Sequence, residues 1–459
     1  MAMKSINPAT GQVIQVFQEW STQQTDEVVA KTHHAWLSWR ETSMATRAQL
    51  ASSAARVLRE GKESYARLMA QEMGKPINDG RSEVEKCAWA CDYYAEHAAG
   101  FLAPEPAQGD AAAAYVAFRP LGTLLAVMPW NFPFWQVFRA AIPALMAGNA
   151  VVLKHASNVP NCALAVEQVF QVAGFPADLF RTLMIGSAQV EGVLRNPQVK
   201  GVTLTGSAEA GRRVAALAGS LLKKSVLELG GSDAFIVLAD ADLEEAARTA
   251  AQSRCINSGQ SCIAAKRFIV EAGVFAPFLR HFQKAMQGVV VGDPLQEDTQ
   301  VGPLAREDLR ETVHAQVSDA VQKGAELVLG GKPLEGAGYF YPPTILVGVK
   351  PGMRAYSEEI FGPVASVLRV RDLDEAIAVA NDTPFGLGAT LWTGDTAKAE
   401  WAAGRLEAGT VFGNGLLRSD PRLPFGGCKE SGYGRELSHF GIREFVNVQA
   451  VWVKSRTDA

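Results

Sequence analysis

At 459 residues the chain is long enough for about three domains of roughly 150 residues each. Its 44 Lys and Arg against 48 Asp and Glu leave a net charge of −4, which speaks against nucleic acid as the main partner. Hydrophobic residues at 48% with charged ones at 20% exclude a disordered or fibrous chain, and six cysteines fit a reducing compartment rather than a disulfide framework.

Met1 to Thr10 lacks the basic-then-apolar pattern of a signal peptide. From Thr25 to about His97 the pattern is helical, with Val28, Val29 and Trp36 near helical spacing and Leu50, Ala54 and Leu58 recurring every fourth residue. Gly74, Pro76 and Gly80 read as a break before a helix starting near Ser82. Residues 101–114, rich in Ala, Pro and Gly, read as a connection into an edge strand at Tyr115–Phe118. Pro120 to Phe138 carries no charge and approaches a membrane span in length. Pro129, Asn131 and Pro133 in its middle point instead to a buried strand and a functional turn, in a soluble cytoplasmic protein with no membrane partner.

Short apolar runs follow at 123–128, 150–153, 181–185, 200–204 and 225–229, separated by helical segments. This alternation predicts parallel βαβ units, with ligands at the carboxyl ends of the strands. A second alternating half, from about 231 to 430, has predicted strands at 234–238, 266–270, 326–329 and 409–413. The tail, Phe445 to Lys454, alternates as a strand without a partner nearby in sequence, so it is expected to pair with another domain or subunit.

The chemistry-bearing residues are few. No GxGxxG follows a strand; Gly206 and Ser207, between strand 200–204 and a helix, can present N–H groups to a phosphate or be a helix cap without a ligand. Of the cysteines, Cys87 and Cys91 read as core, while Cys162, Cys255 and Cys428 lack distinctive settings. Cys262 ends a small-residue turn, Asn257-Ser258-Gly259-Gln260-Ser261-Cys262, where backbone amides favour a thiolate; a plain buried loop cysteine is the alternative. Glu228, between two leucines at a strand end, is either a base or half of a salt bridge. Arg139, the first charge after the neutral run, is either a structural ion pair or an anion receptor. The seven histidines show no HExxH or paired Cys/His spacing, so no metal site is expected, and no GxSxG elbow is present.

In order along the chain, Pro129-Trp130-Asn131-Phe132-Pro133, the Lys154 segment, Thr205-Gly206-Ser207, Glu228-Leu229-Gly230-Gly231, Gly259-Gln260-Ser261-Cys262, Glu359-Ile360-Phe361-Gly362-Pro363 and Pro424-Phe425-Gly426-Gly427 match the motifs of the aldehyde dehydrogenase superfamily. Asn7-Pro8-Ala9-Thr10-Gly11 extends the match almost to the start. Within the superfamily the chain most resembles the shorter bacterial succinate-semialdehyde dehydrogenases. The resemblance implies Cys262 as nucleophile, Asn131 with the Cys262 N–H as oxyanion donors, and Glu228 as the base that hydrolyses the thioester. It places Trp130, Lys154, His155, Ala156, Ser157, Gly206, Ser207, Leu229, Glu359 and Phe361 around a nicotinamide cofactor, and Arg139 with Ser419 at a substrate carboxylate.

Three departures matter. The glutamate common after the Lys154 segment is Ser157 here, which leaves room for a 2′-phosphate and implies NADP, with NAD also accepted. An arginine six residues before the nucleophile is replaced by Ile256, so Arg139 is expected to supply most of the charge recognition. A second cysteine two residues after the nucleophile is replaced by Ala264, so that disulfide switch is not expected. The implied fold is α/β and aldehyde dehydrogenase-like: a cofactor-binding domain (1–102 and 121–229), a catalytic domain (230–439), both doubly wound, and a small β oligomerisation arm (103–120 and 440–459). The implied assembly is a homodimer or a dimer of dimers. Two rival readings are a dehydrogenase of broad specificity for small aldehydes, and a binding or structural protein on the same fold.

Overall fold

The computed structural model describes residues 2–108 and 112–454; 109–111 and 455–459, both within the expected arm, lie outside the described residues. A hairpin of β1 (Ala2–Ile6) and β2 (Val13–Gln18), which the sequence pattern does not announce, opens the chain. Four helices follow: α1 (Thr22–Trp39), α2 (Met44–Glu60), α3 (Lys62–Met73) and α4 (Ile77–Phe101). Ser21 caps α1 in a reciprocal box with Gln24, and Ser43 caps α2 by accepting from the Thr46 N–H. The last helix starts at Ile77 rather than near Ser82, with Gly80 inside it. A Cβ on Gly80 would sit 3.0 Å from Ala66 Cα, so this glycine lets α3 and α4 approach and does not break the helix.

The alternating half begins with β3 (Glu105–Pro106) and β4 (Ala113–Pro120), then β5 (Thr123–Met128), α5 (Trp135–Met146), β6 (Ala150–His155), α6 (Pro160–Val172), β7 (Phe180–Thr182), α7 (Val190–Arg195), β8 (Val199–Thr205), α8 (Ala208–Ser220) and β9 (Lys224–Glu228). The neutral stretch 120–138 thus divides among strand, turn and helix, and among the described residues no helix is long and apolar enough to cross a membrane. Strands β9, β8, β5, β6 and β7 lie in that order and run parallel. The chain builds outward from β5 through β6 to β7, then crosses to β8. The order therefore reverses between β5 and β8, whose carboxyl ends lead into Pro129–Asn131 and Gly206–Ser207. A crevice at such a reversal is where open α/β sheets take ligands.

The second half holds β10 (Ala234–Val237), α9 (Leu243–Cys255), β11 (Arg267–Glu271), α10 (Phe275–Gln287), α11 (Glu307–Gln322), β12 (Glu326–Leu329), β13 (Thr344–Val347), α12 (Arg354–Ser357), β14 (Val364–Val370), α13 (Leu373–Asn381), β15 (Phe385–Gly386), β16 (Gly388–Trp392), α14 (Thr396–Ala403) and β17 (Thr410–Gly413). Its sheet runs β12-β13-β14-β11-β10-β16-β17, with β12 alone antiparallel. Strands β13, β14 and β16 escaped the sequence reading, because short apolar runs have the same composition in buried strands and buried helices. Closing the chain are β18 (Cys428–Lys429), β19 (Gly432–Tyr433), α15 (Ser438–Glu444) and β20 (Val446–Val453). Strand β19 pairs antiparallel with β9, so the chain rejoins the first sheet before residue 440. The tail strand does find a partner in its own chain: β20 pairs with β4 from Val446↔Pro120 to Val453↔Ala113, while β3 covers the far side of β4.

Candidate active site

Two sheets contribute opposite ends to one site. The first offers the carboxyl ends of β5, β8 and β9, as the sequence predicts. The second offers the segments entering its strands: Cys262 precedes β11, Glu359 precedes β14, and Asp233 precedes β10.

Cys262 is half-buried at the end of a strained turn in which Asn257 and Ser258 both adopt left-handed backbone, with φ of 52° and 57°. Their surroundings hold them there. Asn257 Nδ2 donates to the Asn131 carbonyl at 2.7 Å and to the Gln260 carbonyl at 3.0 Å, its N–H donates to Asp79 at 2.8 Å, and Ser258 Oγ accepts from the Gly302 N–H at 2.9 Å. Gly259, also at positive φ (75°), packs so closely on Gly362 that a Cβ would land on its carbonyl. Lys266 Nζ donates to the Ser261 carbonyl at 3.0 Å and the Cys262 carbonyl at 2.6 Å, fixing the residue that carries the thiol. Burial pushes that thiol up to about 12, with the charges of Arg139 and Lys266 opposing.

Asn131 is buried and oriented from both sides. Its Oδ1 accepts from Gln136 at 3.1 Å and its Nδ2 donates to the Gln260 carbonyl at 3.0 Å, while its own carbonyl accepts from Lys75 Nζ at 2.9 Å. An amide Nδ2 carries two hydrogens, so one remains after the Gln260 bond. Lys75 lies in the break between α3 and α4 and is paired with Glu83 at 2.9 Å; Glu83 in turn accepts from the N–H groups of Phe134 and Trp135 at the start of α5. These supports were not legible in sequence, because Gln136 and Lys75 carry no motif of their own.

Glu228 ends β9, buried, with neither carboxylate oxygen hydrogen-bonded to any described residue. Burial and the neighbouring Glu436 raise it well above the ordinary carboxylate range, against the pull of Arg139 and Arg435. Gly426 makes room for it: a Cβ there would meet Glu228 Oε1 at 2.7 Å. Arg139, on α5, is 2% exposed, forms a close ion pair with Glu436 through Nε, and stacks on Phe425 with 4.4 Å to the ring centroid. The structural pairing weighed from the sequence is therefore present, and it offsets the charge that Arg139 was expected to offer a substrate. Ser419 is buried, and its Oγ accepts from Trp135 Nε1 at 3.1 Å and from Lys86 Nζ at 2.7 Å.

On the cofactor side, Ser207 stands exposed as the N-cap of α8 and accepts from the Ala210 N–H at 3.3 Å. Leu229 packs against Gly211 of that helix. Glu359 accepts from the Gly231 N–H at 3.1 Å and lies 3.4 Å from Lys266 Nζ, while Trp130 and Phe361 meet edge-to-face at 5.7 Å. The segment after β6 separates into two kinds of residue. Lys154 and His155 are buried; His155 bridges the Pro133 carbonyl at 2.9 Å and the Ala156 N–H at 2.8 Å, and burial lowers it to about 4, so it is a neutral strut. Lys154 is also lowered by burial, with Glu19, unnoticed in the sequence, opposing. Ala156 is half-buried, and Ser157 alone is exposed. Among the described residues no group of three or more His, Cys, Asp or Glu is arranged to hold a metal ion.

Residues 1–451 match the aldehyde dehydrogenase family. The chain is 50% identical to a succinate-semialdehyde dehydrogenase [NADP(+)] of Mycobacterium avium, over 99% of this chain and 97% of that one. It is 49% identical to a probable succinate-semialdehyde dehydrogenase [NADP(+)] of Synechocystis sp., over 99% of this chain and all (100%) of the relative. Among solved structures, succinic semialdehyde dehydrogenase from Streptococcus pyogenes in complex with NADP+ superposes with a TM-score of 0.96 at 38% identity, over 99% of this chain and 100% of that one.

Proposed function

The chain belongs to the aldehyde dehydrogenase family, and from that premise we propose that it oxidises succinate semialdehyde to succinate with NADP, using NAD as well. The observation that carries the reading is the convergence of a thiol, an oriented amide and a raised, unbonded carboxyl in one buried site. Cys262 Sγ, as thiolate, attacks the aldehyde carbon. The free Asn131 Nδ2 hydrogen and the Cys262 N–H donate to the resulting oxyanion, each donor of this kind being worth about 3–4 kcal/mol. When bound, the nicotinamide cofactor supplies the hydride acceptor. Collapse of the thiohemiacetal leaves a thioester on Cys262 Sγ, and Glu228 takes a proton from the water that hydrolyses it. Arg139, lowering both Cys262 and Glu228, favours the ionised form of each.

The residues present fit such a cofactor. Once Ser207 has capped Ala210, the Ala208 and Glu209 N–H groups at the start of α8 have no partner among the described residues and are left to a phosphate. Glu359 Oε2, without a hydrogen-bond partner among the described residues, lies against Gly230, where a Cβ would crowd it at 2.5 Å; Glu359 would hold the ribose there, with Phe361, Trp130 and Leu229 around the ring. Ser157, exposed beyond β6, would receive the 2′-phosphate, with Lys154 and Ala156 shaping the wall behind it.

Residues 1–102 and 121–229 serve as the cofactor-binding domain, 230–439 as the catalytic domain, and 103–120 with 440–459 as an oligomerisation arm. The outer edge of β20, with Val448, Trp452 and Val453 exposed, supports assembly as a homodimer or a dimer of dimers. All six cysteines are free, which supports a cytoplasmic location. Steady-state comparison of succinate semialdehyde, glutarate semialdehyde and butanal, each with NADP and NAD, tests the assignment. The highest kcat/KM should fall to succinate semialdehyde with NADP; equal values across the three aldehydes would favour the broad-specificity enzyme instead.

A further inference from the structure

The cations around the candidate site are not equivalent. Arg139 is paired with Glu436, Lys75 with Glu83, and Lys266 stands by Glu359. Lys86, on α4, forms no ion pair among the described residues. Its ammonium donates to Ser419 Oγ at 2.7 Å and lies over the Trp135 indole, 4.6 Å from the centroid. Trp135 Nε1 also donates to Ser419 Oγ, so both lone pairs of that oxygen are engaged and its own hydrogen is left to donate outward. Trp135 and Arg139 are one helical turn apart on α5, and Arg139 acts electrostatically on both Lys86 and Cys262, so the Lys86–Ser419 pair shares its nearest cation with the thiol.

A desolvated cation without a counter-ion is costly unless a ligand brings the opposite charge. We propose that Lys86 is the main charge receptor for the substrate's carboxylate, with the Ser419 hydroxyl as second donor, and that it selects short aldehydes bearing a terminal carboxylate over uncharged ones. The inference rests on the carboxylated-substrate reading above and changes its principal residue from Arg139 to Lys86. The charged groups facing Lys86 agree with this. Arg139 and Arg418 repel it; Glu83 of its own helix attracts it but is committed to Lys75, and the neighbouring Cys87 thiol, raised well above its ordinary range by burial, stays neutral. Asp420, next to Ser419, is committed to Arg422. Burial and Arg139 lower Lys86 to about 8, so its charge is present below that pH and lost above it.

The test compares wild type, Lys86→Met and Lys86→Arg by the ratio of kcat/KM for succinate semialdehyde to kcat/KM for butanal, both with saturating NADP. The ratio cancels changes in thiol and base chemistry common to both aldehydes. Lys86→Met should lower it roughly ten- to hundredfold, through KM of the charged substrate, and leave butanal within about twofold. Lys86→Arg should retain most of the preference. In wild type the ratio should fall as pH rises through about 8, and in Lys86→Arg it should stay level, since a guanidinium keeps its proton. A wild type that prefers the charged aldehyde, with an unchanged ratio in Lys86→Met, would overturn the role of Lys86. A wild type without the preference would overturn the carboxylated-substrate reading itself. Should Lys86→Met not fold, the pH profiles of wild type and Lys86→Arg decide, and a level ratio in both overturns the proposal.

Discussion

The inner end of the site and its outer shoulder are built on different physical terms. Inside, Glu228, Asn131, Arg139 and Glu436 are buried around a half-buried thiol, and each ionisation depends on its neighbours: burial raises Glu228 and Cys262 while Arg139 pulls both down. On the shoulder, Ser157 and Ser207 stand exposed on a turn and a helix start, where water screens any charge brought near. The contrast teaches where substitutions should be costly. A group that acts through a dry, preorganised contact is worth several kcal/mol; one that acts across solvent is worth about one.

The largest effect expected is at Cys262. Cys262→Ala should remove turnover while NADP still binds, as a fluorescence titration would show, because the thiol supplies bond-making and little contact surface. Retained turnover would remove the nucleophile from the inner end. Glu228→Ala comes next. Steady turnover should collapse while a first burst of reduced cofactor survives in stopped flow, since only thioester hydrolysis needs the base. The sign of the pH dependence follows from its raised pKa: the carboxyl is neutral at low pH, and the base form grows as pH rises. Hydrolysis-limited turnover should therefore climb with pH in wild type, and Glu228→Ala should flatten that climb. Asn131→Ala should lower kcat by about 10²–10³, the cost of one oxyanion donor, with KM nearly unchanged. A loss in KM alone would make Asn131 a ligand of the ground state.

The two regions also differed in how much could be read from the chain. The parallel half, its reversal point and the turn carrying Asn131 follow from alternating apolar runs, because a strand buried on both faces leaves an unbroken signature. The second sheet was half legible. Thr344–Val347, Val364–Val370 and Gly388–Trp392 are too short for periodicity to separate strand from buried helix. Its approach to the site by the amino ends of its strands also lies outside the rule that located the first half. Cys262 and Glu228 were visible as unusual residues and became specific only through the ordered family motifs. What fixes them was not visible. Gln136 and Lys266 act on their targets from only 5 and 4 residues away, but Lys75 acts from 56 and Glu436 from nearly 300. The length of the separation, rather than any weakness of the contact, hides such a pair from a sequence.

Arg139 lies between these extremes and sharpens the contrast. Removing one partner of a buried pair typically costs about 3–5 kcal/mol, but Glu436 is already raised and can take up a proton instead. Arg139→Ala should therefore lower stability by about 2 kcal/mol near neutral pH. Left unpaired, Glu436 is neutral at low pH and costly when ionised, so the deficit should shrink as pH falls and widen as it rises. Thermal denaturation across pH reads this directly. The same variant should depress kcat/KM for succinate semialdehyde and butanal to a similar degree. A selective loss on succinate semialdehyde would return Arg139 to the role of carboxylate receptor.

The smallest effect belongs to the shoulder. Ser157 is exposed, so a glutamate placed there meets the cofactor's 2′-phosphate through water as much as directly. Ser157→Glu removes a hydroxyl donor and adds a like charge, and it offers the plain ribose of NAD a pair of acceptors. In a buried position such a reversal would be worth several kcal/mol. Here screening limits it to about 1–2 kcal/mol, roughly five- to thirtyfold in the ratio of kcat/KM for NADP to that for NAD. The shift should come mainly from KM of NADP, and it should shrink as salt is raised from low ionic strength. Lys154, buried behind the turn and tempered by Glu19, should hold the phosphate weakly enough that its charge cannot mask the change. A ratio that does not move, or one that moves equally at every ionic strength, would mean that the 2′-phosphate is recognised elsewhere in a dry contact, and the division between inner end and shoulder would fail at this position.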